Sequence, residues 1–410
     1  MLMGSIITAR LLGGEEFGVM GTVQSTVALL AGLAGLGVAL GASKQIAQAW
    51  GAEPAQCGGI AALVLTVCIS SGSAAMFAMM IGSRTVAALT GIDSMQPHML
   101  RAAPLLLMGV VAGGQLGILQ GLQQFRIASI WTLLRNVSTV IGMTVGARLN
   151  GLDGTIQGLV IAEVVSVVGG QVLVSSSMRT LGVHLKWAGC WQYWGSLWRF
   201  GVPSLLSTLA VLPALWAGRT LLLRQSDGLT QAGIFDVANR WSQLASFVPA
   251  ALAPLQLPIL AHLRARADHQ QFRDYKRLWL GVGAGAATVI AVGLSVIAVP
   301  LMRTHGPEFE AGWPVLILLG ATAIPSAVNG TLGASLVARD RVWLRSGVDL
   351  VIAGVLFISA MLLVPAHAAL GLATAHLIGY LTGGLLLIAL QRQQSERGPT
   401  VVINTEKRHG

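Results

Sequence analysis

The sequence predicts an all-α membrane protein of about twelve transmembrane helices. Of its 410 residues, 54% are hydrophobic and only 10% are charged, whereas globular proteins carry about 25% charged residues. The apolar residues form uninterrupted runs of roughly 20, the length that crosses a bilayer as a helix. Backbone polar groups in lipid must be paired internally, so such runs fold as helices. Most classes of soluble enzyme are thereby excluded.

Eleven apolar segments are long enough to cross the membrane. They are residues 17–41, 57–82, 103–124, 127–148, 155–178, 200–223, 230–261, 278–302, 312–337, 342–364 and 367–391. Residues 1–12 are apolar but too short to span, and we interpret them as the last turns of a truncated first helix. A signal peptide is the alternative, but the segment has no basic n-region and no small-residue cleavage site.

The distribution of basic residues predicts the orientation. With the N-terminus in the cytoplasm, 16 Lys and Arg residues fall in cytoplasmic loops and 6 in the opposite loops, while 4 lie within spans. The positive-inside rule therefore places both termini in the cytoplasm. The net charge of +10 is then explained by topology, and no nucleic-acid partner is expected. The three cysteines show no metal-binding spacing, and neither a metal nor a cofactor is expected.

The second half of the chain repeats the layout of the first. Gly13 and Gly18 match Gly228 and Gly233 at an offset of 215 residues. Two six-helix halves with one orientation predict a parallel repeat, with the substrate site between the halves and a rocking motion around it. We expect the following lobes and segments: an N-terminal six-helix lobe at 1–180, a linker at 181–199, a C-terminal six-helix lobe at 200–391 and a cytoplasmic tail at 392–410.

The linker is rich in tryptophan. Trp187, Trp191, Trp194 and Trp198 are spaced 4, 3 and 4 residues apart. This spacing predicts one aromatic helical face, which favours an interfacial helix on the cytoplasmic leaflet. A structural linker is the favoured interpretation, and a role in lipid entry is the alternative.

Several motifs resemble those of a known family. Residues 9–18 read ARLLGGEEFG, residues 199–203 read RFGVP, and residues 233–240 read GIFDVANR with Phe235 where the family usually has tyrosine. Such stretches are similar to those of bacterial polysaccharide flippases. These are the O-antigen and exopolysaccharide exporters of the multidrug/oligosaccharidyl-lipid/polysaccharide (MOP) superfamily.

The resemblance implies a MATE-like bundle of two six-helix lobes around a central cavity. It implies a multi-pass protein of the bacterial inner membrane that translocates undecaprenyl-diphosphate-linked oligosaccharide for polysaccharide biosynthesis. Polysaccharide polymerase and chain-length machinery are possible partners, and the protein is not expected to be an enzyme. A cation-coupled multidrug antiporter and a non-transporting scaffold of a synthesis complex remain alternatives.

Ionisable residues within spans are costly and mark candidate sites. No phosphate-binding loop is present, so ATP hydrolysis is not expected. Arginine suits a diphosphate because its planar fork binds phosphate oxygens bidentately. We therefore predict a cationic cavity. The candidate substrate-binding residues are Arg240, Arg219, Arg135, Arg345 and Arg10, and the candidate coupling or charge-pair residues are Asp236, Glu163, Asp349 and His376.

Other interpretations of these residues stay open. Asp236–Arg240 and Arg345–Asp349 have the spacing of ion pairs along one helix, Arg135 has Glu163 as a possible partner, and Arg219 can extend to the interface. Glu163 and His376 are also candidates for carrying a coupling proton. Prolines within spans favour kinks and are candidate hinges of a gate: Pro203, Pro213, Pro249, Pro254 and Pro258.

Overall fold

The structure, a computed structural model, describes residues 2–35, 37–92, 94–266, 268–339 and 341–396. This described part is helical almost throughout and contains no strand. The helices are α1 (Leu2–Ala34), α2 (Val38–Ala52), α3 (Cys57–Thr90), α4 (Met95–Ala102), α5 (Pro104–Gly121), α6 (Phe125–Thr180), α7 (Trp194–Leu223), α8 (Gly228–Ser242), α9 (Phe247–Ala265), α10 (His269–Val296), α11 (Ala298–Arg303), α12 (Trp313–Val337) and α13 (Val342–Glu396). Most of the predicted tail lies outside the described residues.

The prediction of an all-α, polytopic membrane protein is confirmed. Seven helical segments of the described chain are long and apolar enough to cross a bilayer. They are Leu2–Ala34, Pro54–Thr90, Met95–Gly121, Phe125–Thr180, Gln270–Val296, Pro307–Val337 and Val342–Gln393. The helix α6 has 56 residues, about 84 Å at 1.5 Å per residue, which is more than twice the thickness of the hydrocarbon core.

Two long helices hold two predicted spans each. In α6 the backbone leaves helical geometry at Asn150 and Gly151, between predicted spans 127–148 and 155–178. In α13 it does so at Ala368 (φ +46°). The chain thus turns within a few residues and continues helically, so two expected helices appear as one kinked helix.

Two other predicted spans are interrupted. Within span 17–41, α1 ends at Ala34. Gly37 is left-handed (φ +66°), and α2 begins at Val38 and continues to Ala52. Span 230–261 is broken between α8 and α9, where residues 243–246 form turns. The break precedes Pro249, which is accommodated in the first turn of α9 because an N–H is not needed there.

The element order repeats along the chain. Helix α1 is kinked at Gly13 (φ +75°), and its part after the kink forms a broken pair with α2. Another broken pair, α8–α9, follows the first helix of the second half. Each half then ends with a long helix kinked in its middle, α6 and α13. The boundaries of the two lobes remain a proposal, and below we call α1–α6 the N-terminal half and α7–α13 the C-terminal half.

The two halves meet where α1 crosses α8. Gly18 lies against the backbone carbonyl of Leu229, and Gly233 lies against the carbonyl of Gly14, so neither position has room for a Cβ. The crossing is sealed by buried aromatic rings, with Phe17 and Phe309 in edge-to-face contact at 6.0 Å between centroids. Gly18 and Gly233, one glycine from each copy of the repeat, therefore allow the two helices to meet closely.

The linker differs from the single interfacial helix that the tryptophan spacing predicts. Left-handed Gly182 (φ +70°) and Gly189 (φ +74°) interrupt the chain, and only a short 3-10 helix, Cys190–Tyr193, precedes α7. The exposed Trp191 and Trp194 rings still contact each other, at 5.5 Å between centroids. The side chain of Trp198 lies outside the described part of the chain.

Candidate functional site

A cavity of about 810 Å³ lies between the two halves. Helices α1 and α6 line it from the N-terminal half, and α7, α8, α12 and α13 line it from the C-terminal half. Its volume is within the range typical of small-molecule sites, about 300–1,000 Å³. Beside Gly21 the cavity ends against the α1–α8 crossing, where the side chains of Phe17 and Met20 are fully buried.

The end of the cavity holds an ion pair. Arg219 on α7 donates to both carboxylate oxygens of Asp236 on α8, at 2.5 and 2.7 Å. The same guanidinium reaches across to α1, where Nη2 donates to the carbonyl of Gly18 and Nε donates to Oγ1 of Thr22, each at 3.2 Å. Arg219 is only 6% exposed. Its donors are thus used within the protein, and it joins the two halves.

Space for this ion pair comes from a glycine. A Cβ at Gly21 would overlap the carboxylate of Asp236 and lie 2.7 Å from Nη2 of Arg219. One turn further along α1, Oγ1 of Thr26 accepts a hydrogen bond from Nε1 of Trp216 at 2.9 Å. These contacts hold α1 against α7 and α8 at the closed end of the cavity.

Arg240 lines the same cavity in a different way. Its Nη2 donates to Oε1 of Gln24 at 3.0 Å, and its guanidinium lies 5.3 Å from the ring centroid of Phe17. Such a cation–π contact contributes about 0.5–2 kcal/mol. None of the ion pairs in the described structure includes Arg240, and Asp236, four residues earlier, pairs with Arg219. Among the described lining residues, Arg240 is the cation that has no ion pair.

Glu163 also lines the cavity, from α6, but its charge is compensated. Nε and Nη2 of Arg135 donate to both of its carboxylate oxygens, at 2.7–3.2 Å. The two residues face each other across the kink of α6. Arg135 therefore neutralises the charge of Glu163 and does not line the cavity.

Two further predicted arginines lie elsewhere. Arg345 binds Asp349 one turn away, with Nη2 and Oδ1 separated by 2.7 Å, and donates to the carbonyl of Asn329 at 2.7 Å. This cluster lies outside the cavity lining. Arg10 is on the surface, where Nε donates to the carbonyl of Thr304 at 2.7 Å. The structure thus brings together Arg219, Arg240, Asp236, Glu163 and His376, and separates them from Arg345, Asp349 and Arg10.

The predicted hinges are within helices. Helix α7 is continuous through residues 203 and 213, and Pro249 lies in the first turn of α9. The side chains of Pro203, Pro254 and Pro258 lie outside the described part of the structure. The bend nearest the cavity is at residues 243–246, and Gln243 and Ser246 line the cavity there.

Uncharged polar residues make up much of the remaining lining, and all of those named below except His376 are additional to the candidates predicted from the sequence. Asn239 on α8 and Gln243 and Ser246 in the turn after it have, in the sequence, the i, i+4, i+7 spacing of a helical face. Thr322 and Ser326 on α12 and His376 and Tyr380 on α13 repeat the i, i+4 pattern. Polar residues at helical spacing within apolar segments are the signal that identifies them.

A buried histidine lies close to Arg240. His305 is fully buried, packs edge-on against Trp241 at 6.0 Å and lies within 3.4 Å of Oγ of Ser5. Burial, reinforced by the positive charge of Arg240, lowers the pKa of His305 to about 4. The ring is therefore neutral near pH 7 and adds no charge to the site.

The fold and the cavity define a class of protein. Many secondary transporters are helical bundles built from two repeated halves with the substrate site between them, and the described chain has this architecture. In the described chain no group of three or more His, Cys, Asp or Glu side chains has a metal-binding arrangement.

Comparison with known proteins identifies the family. The family model described as "Polysaccharide biosynthesis protein" matches residues 2–263, and the chain belongs to this family. The EPS I polysaccharide export inner membrane protein EpsE of Ralstonia solanacearum is 27% identical over 146 residues, which cover 35% of this chain and 33% of EpsE. EpsE of Ralstonia nicotianae is 33% identical over 79 residues, 18% of each chain. The matched region is therefore a third or less of either relative.

Solved structures share the fold over nearly the whole chain. An inward-facing multidrug resistance MATE family transporter of the MOP superfamily has a TM-score of 0.79 at 15% identity, covering 97% of this chain and 94% of its own. The lipid II flippase MurJ in an inward closed conformation gives 0.76 at 13% identity, over 95% and 84%. An outward-facing MATE transporter gives 0.71 at 14% identity, over 96% and 91%. At such identities the likeness concerns the fold, which is that of the MOP superfamily.

Proposed function

We propose that the protein is a flippase that moves a polyprenyl-diphosphate-linked oligosaccharide across the bacterial inner membrane by alternating access. The observation that carries this proposal is Arg240, a cation without an ion pair inside the cavity between the halves. The family and the fold support it, because the family is named for polysaccharide biosynthesis and one neighbour in fold is a lipid II flippase.

Arg240 is the residue to which we assign the diphosphate. Its fork matches two phosphate oxygens and keeps its charge at every physiological pH. The contacts it now makes, one hydrogen bond to Gln24 and the face of Phe17, are replaceable by phosphate without leaving a carboxylate unpaired. Arg219 is excluded from this role because its donors are bound to Asp236, Gly18 and Thr22.

The α1–α8 crossing is the outer closure in this proposal. In the orientation predicted by the positive-inside rule, the crossing faces the outside and the cavity opens toward the cytoplasm. The higher TM-score of the inward-facing MATE transporter, 0.79 against 0.71 for the outward-facing one, supports this state. Rocking of the halves would then separate the crossing and release the lipid-linked glycan outward.

The test is complementation in a bacterium that lacks its polysaccharide flippase. The chain is expressed beside Arg240→Ala and the matched control Arg84→Ala, which removes an exposed arginine outside the cavity. Equal membrane levels are verified by immunoblot. Loss of a charge-assisted contact worth about 1.5–3 kcal/mol predicts a roughly 10- to 150-fold drop in surface polysaccharide for Arg240→Ala.

The alternatives predict other outcomes. Drug resistance without surface polysaccharide identifies a multidrug antiporter. Restoration by the parent and by Arg240→Ala alike fits a scaffold that needs no cationic cavity. Flipping of a fluorescent polyprenyl-diphosphate glycan by the purified protein in vesicles separates the scaffold from the flippase, because only a flippase acts without the synthesis complex.

A further inference from the structure

The wall that the C-terminal half contributes to the cavity carries several uncharged polar side chains beside Arg219, Asp236 and Arg240. In the described structure, the side chains of Asn239, Gln243, Ser246 and Ser326 line the cavity and make no hydrogen bond to other described residues. These groups lie on α8, on the turn after it and on α12. Their donors and acceptors are therefore available to a ligand.

The chemistry of this wall matches sugars. Side-chain amides and hydroxyls both donate and accept hydrogen bonds, as sugar hydroxyl and N-acetyl groups do. His376 adds a polar ring to the same wall, and its Nδ1 lies 2.8 Å from the carbonyl of Leu372.

The charged residues described in the lining leave no free cation to pair with the carboxylate of an acidic sugar. Asp236 is paired with Arg219, and Glu163 is paired with Arg135. Arg240 alone lacks an ion pair among the charged residues described in the lining, and in the proposed function the diphosphate occupies it. A glycan carboxylate beside Asn239, Gln243, Ser246 or Ser326 would be desolvated without a cationic partner, which is strongly unfavourable.

We propose that this wall binds an uncharged glycan of hydroxyl and N-acetyl sugars, and that the protein discriminates against repeat units containing uronic acids. This specificity rests on the proposed flippase function. In this proposal Arg240 binds the diphosphate of the substrate, and the sugars are bound by Asn239, Gln243, Ser246 and Ser326.

The experiment uses a panel of flippase-deficient strains, some making neutral repeat units and some making units with a uronic acid. Surface polysaccharide is measured relative to each strain complemented by its own flippase. We expect restoration with neutral units and at least about tenfold less with acidic units, equivalent to 1.4 kcal/mol. Equal restoration in both groups overturns the specificity and leaves the flippase function standing. No restoration in any strain overturns both.

A charge-adding variant tests the same wall directly. Asn239→Arg places a cation among the uncharged groups, and we expect it to raise the ratio of acidic to neutral export at least about tenfold. The control Gln270→Arg adds the same charge at an exposed position at the start of α10, outside the cavity. With both variants present in the membrane, an unchanged ratio for Asn239→Arg shows that the wall does not distinguish charge and overturns the proposal.

Discussion

A single methyl group at Gly21 tests how the closed end of the cavity is built. The position faces the Arg219–Asp236 ion pair, and a Cβ there would overlap the carboxylate of Asp236. Both partners of the pair are largely buried, with side-chain exposures of 8% and 13%. The carboxylate cannot retreat along α8 without losing the two hydrogen bonds it accepts from Arg219.

The expected cost follows from these contacts. Disrupting a buried ion pair costs about 3–5 kcal/mol, whereas Gly→Ala at an unhindered helical site contributes about 0.4–1 kcal/mol of stability through the unfolded chain. Gly21→Ala should therefore lower the free energy of unfolding by about 2–5 kcal/mol. The matched control is Gly330→Ala in α12, where a Cβ meets nothing within 4 Å, and it should be neutral or slightly stabilising.

The assay is reversible denaturation of the purified protein in mixed micelles, followed by tryptophan fluorescence. Gly21→Ala is measured in the parent and in an Arg219→Ala/Asp236→Ala background, where the methyl group has space. The loss should nearly vanish in that background, which gives a coupling free energy of at least about 2 kcal/mol. If Gly21→Ala is as benign as Gly330→Ala in the parent, the described packing of the ion pair is refuted.

Three other changes test neighbouring parts of the structure. Gly14→Cys with Thr230→Cys, in a background without the native cysteines, should form a disulfide on oxidation because a Cβ at residue 14 lies 3.5 Å from Cγ2 of Thr230. Export should stop when the disulfide forms and return when a reductant is added. Continued export in the oxidised state argues against a closure that moves. Trp216→Phe removes the hydrogen bond to Thr26 and should lower the free energy of unfolding by about 1 kcal/mol; an unchanged value on denaturation speaks against that bond. The pKa of His305 is about 4 in the folded protein, below its unfolded value of about 6.5. The free energy of unfolding should therefore fall as the pH drops from 6.5 to 4, by up to about 3 kcal/mol. His305→Gln should flatten this pH dependence, and an equal slope in the variant would show that another group titrates.

The fold class could be predicted from the sequence because long apolar segments with few charges can cross a bilayer in only one way. Apolar runs of about 20 residues with few charges leave only helices, and the structure has them. The interruptions were harder to place. The break at residues 243–246 has no glycine to mark it, and the breaks within span 17–41 and within the linker occur at glycines, of which the chain has 51.

The partners of the charged residues show what spacing alone can and cannot determine. Asp236 and Arg240 are four residues apart, which permits a pair along one helix. In the structure Asp236 instead pairs with Arg219, 17 residues earlier on the neighbouring helix, because the fork of Arg219 also satisfies α1. The spacing of residues along the sequence describes one face of one helix, whereas the ion-pair partner of Asp236 depends on how α1, α7 and α8 pack together. Arg345 and Asp349, with no such competitor, have the local pair that the spacing permits.

The repeat gives a physical reason for the chemistry of the cavity. Asp236 lies 215 positions after Gly21, and Arg240 lies 215 positions after Ser25, the same offset that relates Gly18 to Gly233. Residues related by the repeat face each other where α1 and α8 cross, so an aspartate at both positions would place two carboxylates in one small space, and like charges there are unfavourable. The chain has glycine on one side and aspartate on the other. Helix α1 thus supplies room and the Gly18 carbonyl for the Arg219–Asp236 ion pair, and α8 supplies Arg240 to the cavity.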